Sequence, residues 1–155
     1  MPLLLDGPVR PTPVIMVAPM EPAVLEQFNK NPLYQTVGIR LEQADQGRAR
    51  SVLVPRPEVC WPFPGQPHGG MLFTLMDTTM AWAVQSLLER GLSCTTIDLT
   101  IQYLAAAREG PFTCRAETIH QTGRLAFVRA EVLDACSRPV AAGQGTFRII
   151  KFEFV

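Results

Sequence analysis

The segment from Met71 to Arg90 constrains the fold most, because it is the longest stretch of the chain that can form one regular element. It contains no proline and no glycine, most of its residues favour a helix, and Gly91 follows as a stop signal. We therefore predict a helix of about twenty residues over Met71–Arg90. Its apolar residues cover all sides, which is typical of a helix buried at the centre of a domain.

The residues after this helix predict a β-sheet, because apolar side chains now recur at every second position. The clearest alternation lies within Thr96–Tyr103, where residues 97, 99, 101 and 103 are apolar and their neighbours are polar. The turn over residues 44–47 predicts an earlier hairpin, and the short breaks between the later strands favour an antiparallel meander. The other predicted strands are Val37–Gln43, Arg48–Val54, Phe112–Gln121, Leu125–Leu133 and Val140–Phe154.

These elements together predict an α+β fold. A short helix over Glu21–Asn31 precedes the hairpin, and the long helix and four strands follow it. A central helix that is apolar on all sides has to be covered, and a single curved antiparallel sheet is the only other material available to wrap around it. The 155 residues suit one domain with its own core.

Proline is concentrated in two segments of the chain. Of 14 prolines, six lie within residues 1–22 and five within Pro55–Pro67. Because proline fixes φ and lacks an N–H group, both segments are predicted to interrupt regular structure. We expect residues 1–22 to form an extended Pro-rich lead-in and residues 23–155 to form the single domain.

Charge and cysteine content exclude several classes of protein. The 14 basic and 14 acidic residues balance, whereas a nucleic-acid-binding domain normally carries a basic surplus. The cysteines are separated by tens of residues and have no nearby histidine cluster, which favours reduced thiols in a cytoplasmic protein over a metal site. They are Cys60, Cys94, Cys114 and Cys136.

Neither a signal peptide nor a membrane helix is predicted. The N-terminal residues have no basic start, and prolines interrupt their apolar runs. The apolar run Met71–Leu88 contains Asp77, and an aspartate at the middle of a bilayer costs roughly 2.5–3.5 kcal/mol. We predict a cytoplasmic protein with no metal or cofactor, and with neither nucleic acid nor a membrane as its partner.

The sequence His68-Gly69-Gly70, directly before the long helix, could support chemistry. Two glycines let a ligand approach the backbone closely, and the free N–H groups at the positive end of the helix dipole suit an oxyanion. Asp77 is the only acidic residue in the body of the helix, where a carboxylate is costly unless something requires it. Structural interpretations remain open: a tight turn for the glycines, and local hydrogen bonds for His68 and Asp77.

The spacing of these residues bears on the oligomeric state. The eight residues from Gly69 to Asp77 span about 12 Å along a helix, so both cannot contact one reacting carbon within a single chain. If both are catalytic, Gly69 of one subunit faces Asp77 of the other in a symmetric dimer, which then has two sites.

The segment HGGMLFTLMDTTMAWA resembles the signature of the hotdog-fold acyl-CoA thioesterases, in particular the phenylacetic acid degradation (PaaI-type) branch. The likeness continues through TTIDLTIQYLAAAREG and GRLAFVRAEVLDACSRPVAAGQGTFRI and covers roughly residues 35–150. The resemblance implies a hotdog thioesterase domain over residues 23–155 that hydrolyses an acyl-CoA to the free acid and CoA. It also implies a homodimer, usually within a homotetramer, and no cofactor, since coenzyme A is part of the substrate.

By position, the resemblance assigns roles to individual residues. Asp77 corresponds to the catalytic residue that either activates water or attacks the thioester carbonyl. Gly69 corresponds to the oxyanion donor through its backbone N–H, and His68 to the residue that helps to fix that turn. Thr96 corresponds to a hydroxyl that orients water in some relatives, with Thr95 as the alternative.

One departure from the family pattern affects the functional prediction. Many relatives carry Asn or Gln about six residues before the histidine, where this chain has Pro62. Gln66 either supplies that contact from a different angle or the contact is missing. A non-catalytic hotdog protein that binds acyl-CoA or lipid is therefore the alternative, and an enoyl-CoA hydratase is disfavoured because no second Asp/His pair has suitable spacing.

The remaining candidates concern substrate binding. Twelve of the 14 basic residues are arginine, whose planar guanidinium suits the phosphates of coenzyme A. The candidate substrate-binding residues are Gly70, Gln66, Thr95, Arg124 and Arg148, with Arg108 as a further possibility. Five apolar residues either line an acyl pocket or, as is more typical of a buried helix, pack in the core: Met71, Phe73, Met76, Met80 and Trp82.

Overall fold

The computed structural model describes residues 20–152. The predicted lead-in falls outside the described residues up to position 19, and so do residues 153 and 154 of the last predicted strand. The helices are α1 (Pro22–Phe28), α2 (Pro32–Val37), α3 (Pro57–Cys60) and α4 (Gly69–Gln85). The strands are β1 (Ile39–Asp45), β2 (Arg48–Leu53), β3 (Leu92–Tyr103), β4 (Phe112–Gln121), β5 (Leu125–Leu133) and β6 (Pro139–Lys151).

The strands form one antiparallel sheet in the order β1-β2-β4-β5-β6-β3. The long helix α4 lies across one face of this sheet and contacts all six strands. Its buried residues and the inward-facing residues of the sheet make up most of the core. The predicted α+β class, with a long central helix on an antiparallel sheet, is confirmed.

The predicted meander is only partly right. Strands β4, β5 and β6 are neighbours in sequence and in the sheet, but β3 pairs with β6 rather than with β4. The connection over residues 104–111 therefore leads from one edge of the sheet to its interior, and β3 becomes an edge strand. Alternation specifies which face a side chain occupies but not which strand lies next to it.

The long helix is covered on one face, not on all sides as its composition indicates. Met76 and Met80 are fully buried against the sheet, whereas the ring of Phe73 is exposed and Asp77 is half-buried. Glycine permits the close packing on the covered face, since a Cβ on Gly143 would lie 2.6 Å from Met76 Sδ. No helix within residues 20–152 is long and apolar enough to cross a bilayer.

The ends of α4 also differ from the prediction. The helix begins two residues earlier, at Gly69, and ends at Gln85 rather than Arg90. Ser86 ends it because its hydroxyl donates to the carbonyl oxygen of Ala83 at 2.8 Å and accepts the Gly47 N–H at 2.9 Å. This tertiary contact with the hairpin turn stops a segment whose residues would otherwise continue the helix, so β3 already begins at Leu92.

The N-terminal half contains more short helices than predicted. The helix expected over Glu21–Asn31 ends at Phe28, and Asn31 caps α2 by accepting the Leu33 N–H at 2.9 Å. One turn of helix, α3, lies within the Pro-rich segment, because proline is well suited to the first position of a helix. Strand β1 extends through Asp45, leaving a two-residue turn instead of the predicted four.

Candidate active site

The turn that starts α4 leaves one backbone donor free. His68 is the N-cap, and its Nδ1 accepts the Gly70 N–H at 2.8 Å. The His68 carbonyl oxygen accepts the Met71 N–H at 2.9 Å, and the His68 N–H donates to the Cys60 carbonyl oxygen at 2.7 Å. Within the described part of the chain, the Gly69 N–H donates to no group. It is therefore available to an acceptor at the positive end of the helix dipole.

Tyr103, the last residue of β3, contacts the same turn. Its hydroxyl donates to the Gly69 carbonyl oxygen at 2.8 Å, and its ring would lie 3.1 Å from a Cβ on Gly69. Tyr103 was not among the candidate residues predicted from the sequence. Alternation placed Tyr103 on a strand face, but only the position of β3 beside α4 brings its hydroxyl to the turn.

Asp77 lies on the uncovered side of α4, where the start of β3 reaches it. Thr96 Oγ1 donates to Asp77 Oδ1 at 2.8 Å. Thr95 pairs with Arg148 of β6. Because neighbouring residues of a strand point to opposite faces, the side chain of Thr95 lies on the face of β3 opposite to that of Thr96. The structure thus brings Thr96, rather than Thr95, to the carboxylate.

The two halves of this candidate site lie at opposite ends of the contact between α4 and β3. Gly69 and Tyr103 mark one end, and Asp77 and Thr96 mark the other, so β3 runs antiparallel to α4. The eight helical residues between Gly69 and Asp77 correspond to a rise of about 12 Å. A single chain does not bring the free N–H and the carboxylate to one reacting atom.

An open apolar cavity of about 630 Å³ lies between α1, the second half of α4 and the start of β3, and its lining on α4 begins at Ala81, one helical turn beyond Asp77. Trp82 forms one wall, where its Nε1 donates to the Tyr34 hydroxyl at 2.9 Å and its ring centroid lies 4.4 Å from that of Phe28. Of the five apolar residues considered from the sequence, only Trp82 lines this cavity. Met76 and Met80 belong to the core.

Two further cavity residues are close enough to Asp77 for its charge to affect them. Burial, followed by the Asp77 charge, raises the pKa of the Cys94 thiol to about 11. Burial is also the main cause that raises the pKa of Tyr34, with a smaller contribution from Asp77. Both groups therefore stay uncharged near pH 7, which keeps this wall of the cavity neutral.

Three of the predicted substrate-binding residues come together at one end of the sheet. Arg148 of β6 lies opposite Thr95 on one side and Leu125 on the other. Arg124 is directly adjacent, because its carbonyl oxygen accepts the Ile149 N–H at 2.8 Å. Both arginines are exposed, and neither forms an ion pair with any residue from 20 to 152.

The remaining candidates lie on loops. Pro62 and Gln66 are exposed in the connection before α4, where the Gln66 N–H donates to the Phe63 carbonyl oxygen at 3.2 Å. Arg108 is exposed in the connection between β3 and β4. Gly70 lies in the first turn of α4 with its N–H held by His68.

Known proteins share both the sequence pattern and the fold. The family model of the thioesterase superfamily matches residues 65–141. A Halobacterium salinarum protein, provisionally named an esterase, is 31% identical over an alignment that covers 77% of this chain and 85% of that protein. The conserved protein PA5202 of Pseudomonas aeruginosa is 32% identical, with a TM-score of 0.72 and coverage of 77% of this chain and 94% of that one.

Two more distant structures extend the likeness in fold. The thioesterase HI1161 of Haemophilus influenzae has a TM-score of 0.80 at 20% identity, covering 88% of this chain and 94% of that one. The E. coli PaaI protein of the phenylacetic acid degradation operon has a TM-score of 0.73 at 24% identity, covering 84% and 92%. The architecture is thus the hotdog fold expected from the resemblance. The chain belongs to the thioesterase superfamily.

Proposed function

We propose that this protein is an acyl-CoA thioesterase that hydrolyses a CoA thioester to the free acid and CoA. One observation carries the proposal: the Asp77 carboxylate, held by Thr96, lies on the uncovered side of α4, one helical turn from the lining of an apolar cavity. An apolar cavity next to a carboxylate suits an acyl group whose carbonyl carbon is the reacting atom. Membership of the thioesterase superfamily supports this reaction class.

The chemistry requires a donor for the carbonyl oxygen and a base or nucleophile for the carbonyl carbon. The Gly69 N–H supplies the donor, and it stabilises the negative charge that develops on oxygen. Asp77 either removes a proton from an attacking water or attacks the carbon itself to form an anhydride that water then opens. In both routes the C–S bond breaks, a C–O bond from water forms, and the thiolate sulfur leaves with CoA and takes up a proton.

The distance between Gly69 and Asp77 makes a dimer part of this proposal. Strand β3 is an edge strand that exposes 56% of Ile97 and 51% of Tyr103, and such an edge favours pairing with another strand. Antiparallel pairing of β3 with β3 of a second copy places the Tyr103 end of one strand beside the Thr96 end of the other. Gly69 of each subunit then faces Asp77 of its partner, giving two sites per dimer. Two such dimers would form the expected tetramer.

A complementation experiment tests whether the site is shared between subunits. Mixed dimers of an Asp77→Asn subunit and a Gly69→Pro subunit contain one intact site and one doubly defective site. We expect random reassociation of the two inactive variants in equal amounts to restore about a quarter of the wild-type activity, because half of the dimers are mixed and half of their sites work. Activity that stays at the sum of the two variants would show that each site belongs to one chain.

The exposed arginines supply the second testable part of the proposal. We expect the double variant Arg124→Gln/Arg148→Gln to raise KM for acyl-CoA about tenfold or more, since a charge-assisted contact contributes about 1.5–3 kcal/mol. The KM for an acyl-pantetheine, which lacks the nucleotide phosphates, should not change. Arg40→Gln/Arg50→Gln is the control for the loss of two charges, because both arginines are exposed on the β1–β2 hairpin at the far edge of the sheet. An equal rise of KM for both substrates would contradict phosphate binding by this pair.

The overall function is tested by thiol release from a panel of short, medium and aryl acyl-CoAs. Turnover of at least one of them is the expected result. The exposed Pro62, which stands where many relatives carry an amide side chain, favours the alternative of binding without hydrolysis. If acyl-CoA binds tightly in calorimetry and no member of the panel is cleaved, the protein is a binding module and the catalytic proposal is wrong.

A further inference from the structure

Tyr103 fixes one of the two peptide groups that adjoin Gly69. The peptide group between Gly69 and Gly70 is held on both sides: its carbonyl oxygen accepts from the Tyr103 hydroxyl at 2.8 Å, and its N–H donates to His68 Nδ1 at 2.8 Å. Tyr103 lies at the end of β3, so this contact ties the helix start to the sheet.

The other peptide group, between His68 and Gly69, is held through its carbonyl oxygen alone. That oxygen accepts the Met71 N–H at 2.9 Å, while the Gly69 N–H is the donor left without an acceptor in the described residues. Glycine at this position has more backbone freedom than any other residue. Its N–H keeps a defined direction when the groups around it are fixed, and within residues 20–152 the hydrogen bond from Tyr103 is the one that the sheet contributes to this turn.

We propose that Tyr103 is a positioning residue that aims the Gly69 N–H at the thioester carbonyl oxygen. This inference rests on the proposed thioesterase function. The Tyr103 ring packs against Gly69, at 3.1 Å from where a Cβ would lie, and the hydroxyl holds the Gly69 carbonyl oxygen. An oxyanion donor lowers the barrier only when it already points to where charge develops, so its direction affects kcat more than substrate binding.

The variant Tyr103→Phe tests this inference because it keeps the ring and removes only the hydroxyl. We expect kcat to fall about tenfold while KM changes little, since misplaced catalytic groups lose rate steeply with distance. The thermal midpoint should stay within a few degrees of the wild-type value. An unchanged kcat in an enzyme whose wild type is active would overturn the role of Tyr103 and leave the proposed function intact.

A double-mutant cycle separates positioning from a general structural effect. In a Gly69→Pro background the N–H is absent, so Tyr103→Phe should cause no further loss of kcat. Equal losses in both backgrounds would show that Tyr103 acts elsewhere, and the inference would be wrong.

A measurement that does not depend on turnover gives a second readout. In the ¹⁵N-glycine spectrum, the Tyr103→Phe substitution should shift the Gly69 and Gly70 amide resonances, whereas the Gly123 resonance of the distant β4–β5 turn serves as the control. Unmoved Gly69 and Gly70 resonances would also overturn the inference. A wild type that cleaves no acyl-CoA would overturn the proposed function and, with it, the role given to Tyr103.

Discussion

Asp77→Asn should reduce kcat for thioester hydrolysis about 10³-fold, the largest effect that we expect from any single side chain. Asparagine has nearly the same size as aspartate and can still accept the Thr96 hydrogen bond, which is 2.8 Å long in the wild type. It is neither a base nor a nucleophile, and a positioned base alone contributes typically 10²–10⁴-fold. Thiol release under saturating substrate measures the loss.

The control for this variant removes a carboxylate elsewhere. Glu42→Gln changes the net charge by the same amount on β1, at the edge of the sheet far from β3, and should leave kcat unchanged. If Asp77→Asn retains the wild-type rate, Asp77 is not catalytic. Label found in the Asp77 carboxylate after a single turnover in H₂¹⁸O would establish nucleophilic attack, because a general base keeps both of its carboxylate oxygens.

Gly69→Pro should reduce kcat by a further 10²–10³-fold relative to Gly69→Ala, the range typical of removing one oxyanion donor. Both substitutions add a Cβ at 3.1 Å from the half-exposed Tyr103 ring, which has to shift by a few tenths of an ångström. Only proline removes the N–H. The ratio of the two kcat values therefore isolates the donor from the steric change.

The backbone at this position is suited to proline. Gly69 is the first helical residue, where proline is favoured because its N–H has no partner within the helix. His68 has φ −61° and ψ 137°, the extended conformation that a residue before proline prefers. We expect similar thermal midpoints for the two variants. Equal kcat values in Gly69→Pro and Gly69→Ala would show that the Gly69 N–H does not stabilise the transition state.

Much of the local structure could be predicted from the sequence. The period-two alternation after Gly91 predicted strands at the right places, and a long segment free of proline and glycine predicted α4 to within five residues at each end. Both patterns depend on short-range geometry: the alternating faces of a strand, and the helix preference of successive residues. The position at which a helix ends depends less on neighbouring residues in the sequence, because α4 stops at Ser86 through a contact with Gly47.

Only part of the candidate site could likewise be predicted from the sequence. His68-Gly69-Gly70 and Asp77 could be picked out because glycines before a helix and an acid within an apolar helix are visible in the sequence itself. The choice between Thr95 and Thr96 and the contact of Tyr103 with Gly69 were not visible. Each depends on where β3 lies relative to α4, and the residues of β3 do not by themselves determine that position.

The sequence by itself determined the long helix at the centre of an α+β domain, its glycine-rich start and the helical distance that separates Gly69 from Asp77. These follow from composition and from the fixed rise of an α-helix. Only the tertiary structure decided that β3 pairs with β6 and lies at the edge of the sheet, since pairing between strands depends on how the whole sheet closes over the helix. That placement brings Thr96 to Asp77 and Tyr103 to Gly69, and it leaves one side of α4 uncovered beside an edge strand.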